Sequence, residues 1–378
     1  MTELQSISAM REQLVRAASE FAGQDSYDVK RILAARRRRD EWARLARFNP
    51  NSLERMRDLA RDRLVDGARI DFAAIAPELV FCRTSEDYAV HRYHSAMSAF
   101  PTRDRPGRRM KFMLVDGGQP HRPVMAVATL SSAINILPSR DCWIGWDTDA
   151  HRRWDRLAYV LDLSTCISVA PYSGLTVAKL LAHLALSREC QEHYRQRYGD
   201  RATEVTGRIV DRYALVVGTG AFKSRTPAYK GFRLASGDER FERVGMTEGY
   251  SSAHISDALY NRLMQRFGAD DRYGVRRSGP HVRFSNIRKF ARLLDIDEEL
   301  VLRPGQRRSV YLAPTASNAK AFLLGKSERL ELRRPWAKWL IGEWKTRWLS
   351  ERLSKPHIVE SIRRWRAEDD LLDLAVTA

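Results

Sequence analysis

Val169-Ala170-Pro171-Tyr172-Ser173-Gly174-Leu175-Thr176-Val177-Ala178-Lys179-Leu180-Leu181 is the stretch on which the fold turns. Before it, Leu157 to Val169 is a long apolar segment, rich in β-branched residues near its end, as a buried strand would be. Pro171 and Gly174 interrupt the chain. From Leu175 to about Tyr198 the apolar positions Val177, Leu180, Leu181, Leu184 and Ala185 share one helical face. A strand that passes through a short turn into a helix is half of an α/β unit.

The pattern extends outward on both sides. Lys111 to Val115 ends at Asp116-Gly117-Gly118, a strand followed by a turn, and Pro123 to Leu130 is a second strand. Ile209 to Gly218 reads as the strand after the helix, Phe232 to Met246 as a further β unit, and Val310-Tyr311-Leu312 as a short strand. The flanks read differently. Residues 2 to about 64 are helical by the spacing of Leu14, Ala17, Ala18 and Phe21 and then of Trp42, Leu45 and Phe48. Asn49-Pro50-Asn51-Ser52 breaks that run, with Ser52 as the expected cap of the next helix. Residues 256–268 form an amphipathic helix through Leu259, Leu263 and Phe267, and another runs through Ile287, Phe290 and Leu294. Residues 335–352 are helical, with Lys338, Lys345, Arg347 and Arg352 among the tryptophans; Trp336, Trp339 and Leu340 form one stripe that favours core packing, with a partner-binding helix second and an aromatic-basic nucleic-acid face as the third reading.

These readings predict an α/β (α+β) protein with a mixed central sheet and helical amino- and carboxy-terminal regions. The expected divisions are a basic helical region at 1–77, an α/β core at 78–255, a helical and β extension with a basic loop at 256–325, and a Trp/Arg-rich helical tail at 326–378. One known layout fits, the acetyltransferase-like (GNAT) fold. There a central strand runs through a loop into a helix whose first N–H groups hold a pyrophosphate. On that layout Tyr172, Ser173, Gly174 and Lys179 are the candidate cofactor-binding residues, though no particular cofactor is indicated.

Composition narrows the partners. The chain has 378 residues and a net charge of +18, from 65 Lys and Arg against 47 Asp and Glu; 54 of the basic residues are Arg. Arg pairs bidentately with phosphate and stacks on flat rings, so an Arg-led excess points to nucleic acid. Cys82, Cys142, Cys166 and Cys190 form no CxxC pair and give neither a zinc-ribbon pattern nor a disulfide framework. No run approaches 18 apolar residues and Met1 to Ala9 is polar and acidic, so the expected compartment is the cytoplasm, without membrane contact.

Five segments then resemble one family, the DruA proteins of Druantia anti-phage defence systems, and they occur in the family's order. Arg108-Arg109-Met110-Lys111-Phe112 is similar to its GRRMRF-type strand start. Arg140-Asp141-Cys142-Trp143-Ile144-Gly145-Trp146 resembles its RDxWIGW string, the most specific of the set. Pro171-Tyr172-Ser173 with Lys179-Leu180-Leu181-Ala182 is similar to PPYS…GGKLVA. Val244 to Ile255 resembles IGxTxGxGxFHI, and Arg307 to Pro314 resembles RREVFVxPL. Together they cover about residues 78 to 325. The resemblance implies a role in prokaryotic defence or mobile elements and work on DNA, without a settled reaction or transferable catalytic residues. The chain also departs from the family. Thr176-Val177-Ala178 replaces the paired glycines before Lys179, the Asn-Arg pair expected after Tyr229 is absent, and a GPNW-like string survives only as Gly279-Pro280-His281.

The candidate chemistry is scattered. Lys223-Ser224-Arg225-Thr226 puts two cations and two hydroxyls in four residues, a composition suited to phosphate, and Tyr229 and Lys230 follow it, the former a candidate base-stacking ring. Arg108, Arg109, Arg276, Arg277, Arg307 and Arg308 complete the candidate nucleic-acid set. Glu248 and His254 place an acid and an imidazole in one short loop, a candidate acid–base pair. Asp141 and Asp147 flank the tryptophans of the 140–146 string and are further catalytic candidates, although the plain reading of that string is a packed corner in which Arg140 and Asp141 brace a turn. His91-x-x-His94 has helical ligand spacing but no third ligand in sequence, and no metal is expected. Three functions fit: a DNA-directed defence protein that binds and modifies DNA as a GNAT-like transferase; a non-catalytic DNA-binding subunit that recruits a helicase or nuclease; and, last, a nuclease or transposase-like strand breaker.

Overall fold

The computed structural model describes residues 3–20, 26–96, 98, 107–147, 150–221, 226–233, 240–248, 254–277, 282–302, 307–333 and 335–370. Seven strands form one mixed sheet: β1 (Pro77–Phe81), β2 (Arg109–Asp116), β3 (Val124–Ser132), β4 (Val160–Ser168), β5 (Leu215–Thr219), β6 (Glu242–Met246) and β7 (Ser309–Pro314), in the order β1-β2-β3-β4-β5-β7-β6. Neighbours are antiparallel except β4 and β5, which run parallel with Val160 opposite Leu215 and Leu163 opposite Gly218. A parallel pair needs a crossover. Helices α7 (Val177–Leu184) and α8 (Arg188–Tyr198) supply it.

The remaining helices are α1 (Glu3–Ser19), α2 (Ser26–Phe48), α3 (Pro50–Arg61), α4 (Ser85–Ser95), α5 (Pro138–Ile144), α6 (Ala150–Arg156), α9 (Asp257–Phe267), α10 (Val282–Leu293), α11 (Glu298–Leu302) and α12 (Ala319–Leu323). At the carboxy-terminal end α13 (Ala337–Trp344) continues through a wide π turn, Lys345–Leu349, into α14 (Ser350–Leu353), and α15 (Pro356–Arg364) and the short α16 (Ala367–Asp370) follow.

Side chains alternate across the sheet with the period of two that a pleated strand imposes. Phe112, Leu114, Val216, Tyr311 and Ala313 face a core shared with α7 and α8. Met113, Val115 and Val127 face α4, and Val160, Leu215, Val217, Val310 and Leu312 face a core that includes α5 and α12. Both faces are covered, which explains why these strands are continuously apolar in sequence rather than alternating. The C-terminal helices close the first face: Leu340, Trp344, Leu349, Ile358 and Ile362 belong to the same core as β2 to β4. Helix α15 seats on residues 67–69, where the Gly67 N–H donates to the Trp365 carbonyl at 3.0 Å. A Cβ at position 67 would fall 1.7 Å from the Ile362 carbonyl oxygen, so only glycine permits this approach. Elsewhere, Leu14 of α1 packs with Leu259, Leu263, Phe267, Phe290 and Val301 in a separate helical cluster.

Local chemistry moved two expected boundaries and divided one expected stripe. The long helix predicted from Leu175 breaks at Ala185 to Ser187, because the Ser187 hydroxyl accepts from the Cys190 N–H and starts α8 afresh. Asn49, not Ser52, caps α3: its side chain accepts from the Ser52 N–H at 3.0 Å. The Trp stripe also divides. Leu340 and Trp344 are buried, whereas Trp336 and Trp339 are exposed, so the expected packing of all three of Trp336, Trp339 and Leu340 holds for Leu340 alone.

Candidate nucleic-acid interface

The 140–146 string forms α5 and its C-cap. Gly145 adopts φ +99, and the Gly145 and Trp146 N–H groups both donate to the Asp141 carbonyl at 2.8 Å. Arg140 is wholly buried yet fully engaged. Its guanidinium donates to the Ile134 carbonyl (2.7 Å), the Asn135 carbonyl (3.0 Å) and Asp141 Oδ1 (2.6 and 2.8 Å). The other Asp141 oxygen accepts from the Leu137 N–H at 3.1 Å and faces Arg153 at 3.6 Å. Trp146 lies beneath the Arg140 guanidinium and donates its indole N–H to the Leu323 carbonyl at 3.0 Å. The Asp141 carboxylate is thus a bracing group within a satisfied network. Asp147 is exposed at the end of the corner.

The segment after β4 enters α7 through a cis Ala170–Pro171 peptide bond and a left-handed Thr176. Tyr172 is buried and donates its hydroxyl to Asp116 Oδ2 at 3.0 Å. Asp116 also accepts from the Ala76 and Gly118 N–H groups. Burial and the adjacent Asp116 carboxylate push the Tyr172 phenol far above its usual range. Lys179 is buried, with its ammonium donating to the Lys230 carbonyl at 2.7 Å and lying 4.8 Å from the Trp348 ring. Ser173 is exposed, and Gly174 faces Ile358 and Ile362 of α15. Helix α15 therefore lies over the loop that would hold a pyrophosphate in the GNAT layout.

The other candidate residues scatter. His254 is buried and its Nε2 donates to the Val301 carbonyl at 2.8 Å, while Glu248 is exposed. Lys223, Ser224 and Arg225 lie outside the described residues. Thr226 donates its N–H to the Tyr311 hydroxyl at 2.8 Å. Tyr229 is buried against Phe241 and Tyr311, its ring lying where a Cβ on Gly218 would meet it at 2.6 Å. Lys230 is half-buried and offers its carbonyl to Lys179. Arg108 is clamped between the Tyr194 and Tyr198 rings and donates to the Tyr194 hydroxyl and the Arg201 carbonyl. Arg109 begins β2, where the Tyr198 hydroxyl accepts from its N–H and donates to its carbonyl. Arg308 donates from Nε to the Gly220 carbonyl. Arg276, Arg277 and Arg307 are exposed.

On α4, burial with His91 alongside pushes the His94 imidazole down to about 3, and neither of its ring nitrogens has a hydrogen-bond partner among the described residues. Among the described residues no group of three or more His, Cys, Asp or Glu is placed to hold a metal ion.

The structure also assembles a basic aromatic face around two tryptophans of 335–352, a segment for which the sequence offers a nucleic-acid face as the third reading. Trp336 and Trp339 are 54% and 46% exposed at the start of α13. Arg188 stacks on Trp336 at 4.2 Å and Arg240 lies 5.4 Å from the Trp339 ring centre. Arg333 is exposed and close enough to Arg240 to act on it: burial and this like charge lower the Arg240 guanidinium from its ordinary value. Neither Arg240 nor Arg333 forms an ion pair among the described residues, and Arg240 Nε has no hydrogen-bond partner there. The acids on neighbouring α8 are already engaged. Glu189 accepts from the Ala337 N–H at 2.9 and 3.1 Å, and Glu192 pairs with Arg188 at 2.6 Å. The sequence signal was present in the Trp spacing of 335–352, but Arg188, Arg240 and Arg333 come from three separate segments and only folding brings them together.

Comparison with known proteins fits this frame. The family model described as "Druantia protein DruA" matches residues 30–325. The Druantia protein DruA of Escherichia coli (strain UMEA 4076-1) is 27% identical over 229 residues, covering 59% of this chain. The match spans 55% of that relative's own length. No solved structure matches the chain. The matched span contains all seven strands and most of the residues, and the chain belongs to the DruA family.

Proposed function

We propose that this protein is a DNA-directed component of bacterial anti-phage defence, acting as a DNA-binding subunit that works with a helicase or nuclease partner. Family membership supports the defence role. The DNA role rests on one observation: an Arg-led excess of +18 that includes Arg240, which lies beside the exposed Trp339 and forms no ion pair among the described residues. Binding is preferred over catalysis because Asp141 and Tyr172 are held in buried bonding networks and His254 is buried on a backbone carbonyl. Among the described residues no helix is long and apolar enough to cross a membrane.

A second reading, the GNAT-like transferase, is favoured by a separate feature. β4 and β5 are parallel, and β4 runs straight through the 169–176 turn into α7. In that reading the loop at 171–179 holds a cofactor once α15 moves aside, and His254 or Glu248 lies near the chemistry.

Fluorescence anisotropy with a labelled 20-base-pair duplex across a salt series tests the first reading. Affinity should fall steeply as salt rises, because binding releases counterions from the DNA. Absence of binding at low salt sinks it. Mass spectrometry of nucleosides from DNA incubated with protein and cell extract tests the second, which an unchanged profile rejects.

A further inference from the structure

We infer that the face formed by Trp336, Trp339, Arg188, Arg240 and Arg333 is a docking site for single-stranded DNA, with unpaired bases stacking on the two indoles and backbone phosphates lying on the arginines. This inference deepens the DNA-binding reading and rests on it.

The exposure of the tryptophans is the first observation. The carboxy-terminal helices bury Leu340, Trp344 and Leu349 in the main core. Trp336 and Trp339, at the start of the same helical segment, stay about half exposed. An indole is the largest apolar side chain, and two left at the surface within four residues have flat faces with nothing packed over part of them.

Charge chooses the occupant. A protein partner that covered two indoles would meet a face where Arg240 and Arg333 already repel each other without an acid between them among the described residues. A phosphate lying against the two guanidinium groups relieves that repulsion. An anion and a flat apolar ring at repeating short intervals is the chemistry of a single strand. Stacking on aromatic side chains is how single strands are held without sequence preference. In a duplex the base faces are already stacked on one another, so the indoles would have nothing to accept and duplex binding would draw on the arginines alone.

Arg188 serves as a support. Its guanidinium lies on Trp336 at 4.2 Å and is held by Glu192, which fixes the indole plane. Glu189 fixes the start of α13 from below through the Ala337 N–H. The Trp336 ring and the start of α13 thus have partners before any ligand arrives, which lowers the ordering cost of binding there.

The test compares fluorescein-labelled dT20, U20 RNA and a 20-base-pair duplex by anisotropy at low salt. It uses the full chain and three variants, W336A/W339A, W336F/W339F and R333Q, with thermal melting to check that each is folded. The expected result is a loss of about tenfold or more in dT20 affinity for the alanine variant. The phenylalanine variant should recover part of that loss, and duplex affinity should change less than about twofold. R333Q should reduce the salt dependence of dT20 binding. Unchanged dT20 affinity in folded W336A/W339A overturns the inference while leaving DNA binding intact, provided that the duplex still binds. Tighter binding of U20 than of dT20 overturns the assignment to DNA. If the unaltered protein binds neither dT20 nor duplex, the broader DNA reading fails first.

Discussion

Two regions of this protein are built from the same residues and put them to opposite uses. The corner at 140–146 and the face at 336–339 each combine an arginine with a tryptophan ring. In the corner Arg140 has two carbonyls and a carboxylate as acceptors, and Trp146 has a carbonyl for its indole N–H. On the face Arg240 and Arg333 have no ion-pair partner among the described residues, and the indoles stay in solvent. Residue type does not separate structure from function here; the supply of acceptors does. A buried guanidinium is tolerable only when its donors are satisfied. One left short of acceptors beside an open ring is available to a ligand.

The largest way to break this comparison is Arg140→Ala. It leaves Asp141 buried without its main cation and should cost about 3–5 kcal/mol, read as a lower denaturant midpoint. Arg140→Lys should rescue little, since a single ammonium cannot span acceptors on three residues. A variant as stable as the parent would remove the corner from the argument.

Acid probes a third situation, buried imidazoles held uncharged: His94 has no hydrogen-bond partner among the described residues, while His183 keeps one through Nδ1 to the Lys179 carbonyl. The imidazoles of His94 and His183 are pushed down to about 3, both chiefly by burial. The unfolded chain takes up these protons near 6.5, whereas the folded protein resists them until about 3. Stability is therefore complete above about 6.5 and drains away as pH falls toward 3, a loss on the order of a few kcal/mol. His94→Phe should shift acid unfolding, followed by near-ultraviolet circular dichroism, to lower pH. An unmoved midpoint would show that this histidine is not among the groups whose protonation unfolds the protein.

Gly218→Ala is milder. The added methyl meets the buried Tyr229 ring at 2.6 Å and should cost about 1–3 kcal/mol through overpacking, read by thermal melting. The smallest expected effect is the most telling. Trp336→Ala with Trp339→Ala should leave stability within about 0.5 kcal/mol, as surface changes usually do. A large loss would place those indoles in the core with Trp146 and erase the contrast.

Much of the frame was legible because its signals are local. β2, β3 and β4 announce themselves as apolar runs, and α9 through its four-residue spacing of Leu259, Leu263 and Phe267. β1 escaped notice because Glu78 is exposed and Leu79, Val80 and Phe81 are only half-buried, as at a sheet edge. α4 carries a capping box, with Thr84 accepting from the Asp87 N–H and Asp87 from the Thr84 N–H, a signal present in sequence but not singled out. The roles of single residues were harder to read. Arg108 and Tyr229 have side chains suited to nucleic acid but sit in aromatic packing, and that depends on Tyr194, Tyr198, Phe241 and Tyr311 arriving from distant positions. The Trp face was hidden for the same reason: its arginines lie up to 145 positions apart, from Arg188 to Arg333.

The seat of α15 against Gly67 bears on how the chain comes into being. All seven strands lie between residues 77 and 314, within the part that the family shares. Yet the core that holds Phe112 and Leu114 beneath α7 and α8 is completed by Leu340, Trp344, Ile358 and Ile362, which lie beyond that part. During synthesis the sheet, α7 and α8 therefore emerge before the last layer of their core. The side of α7 and of the 172–175 turn that the carboxy-terminal helices cover waits in solvent until residue 362 has been made. A fragment cut at the family boundary would be held permanently at that stage.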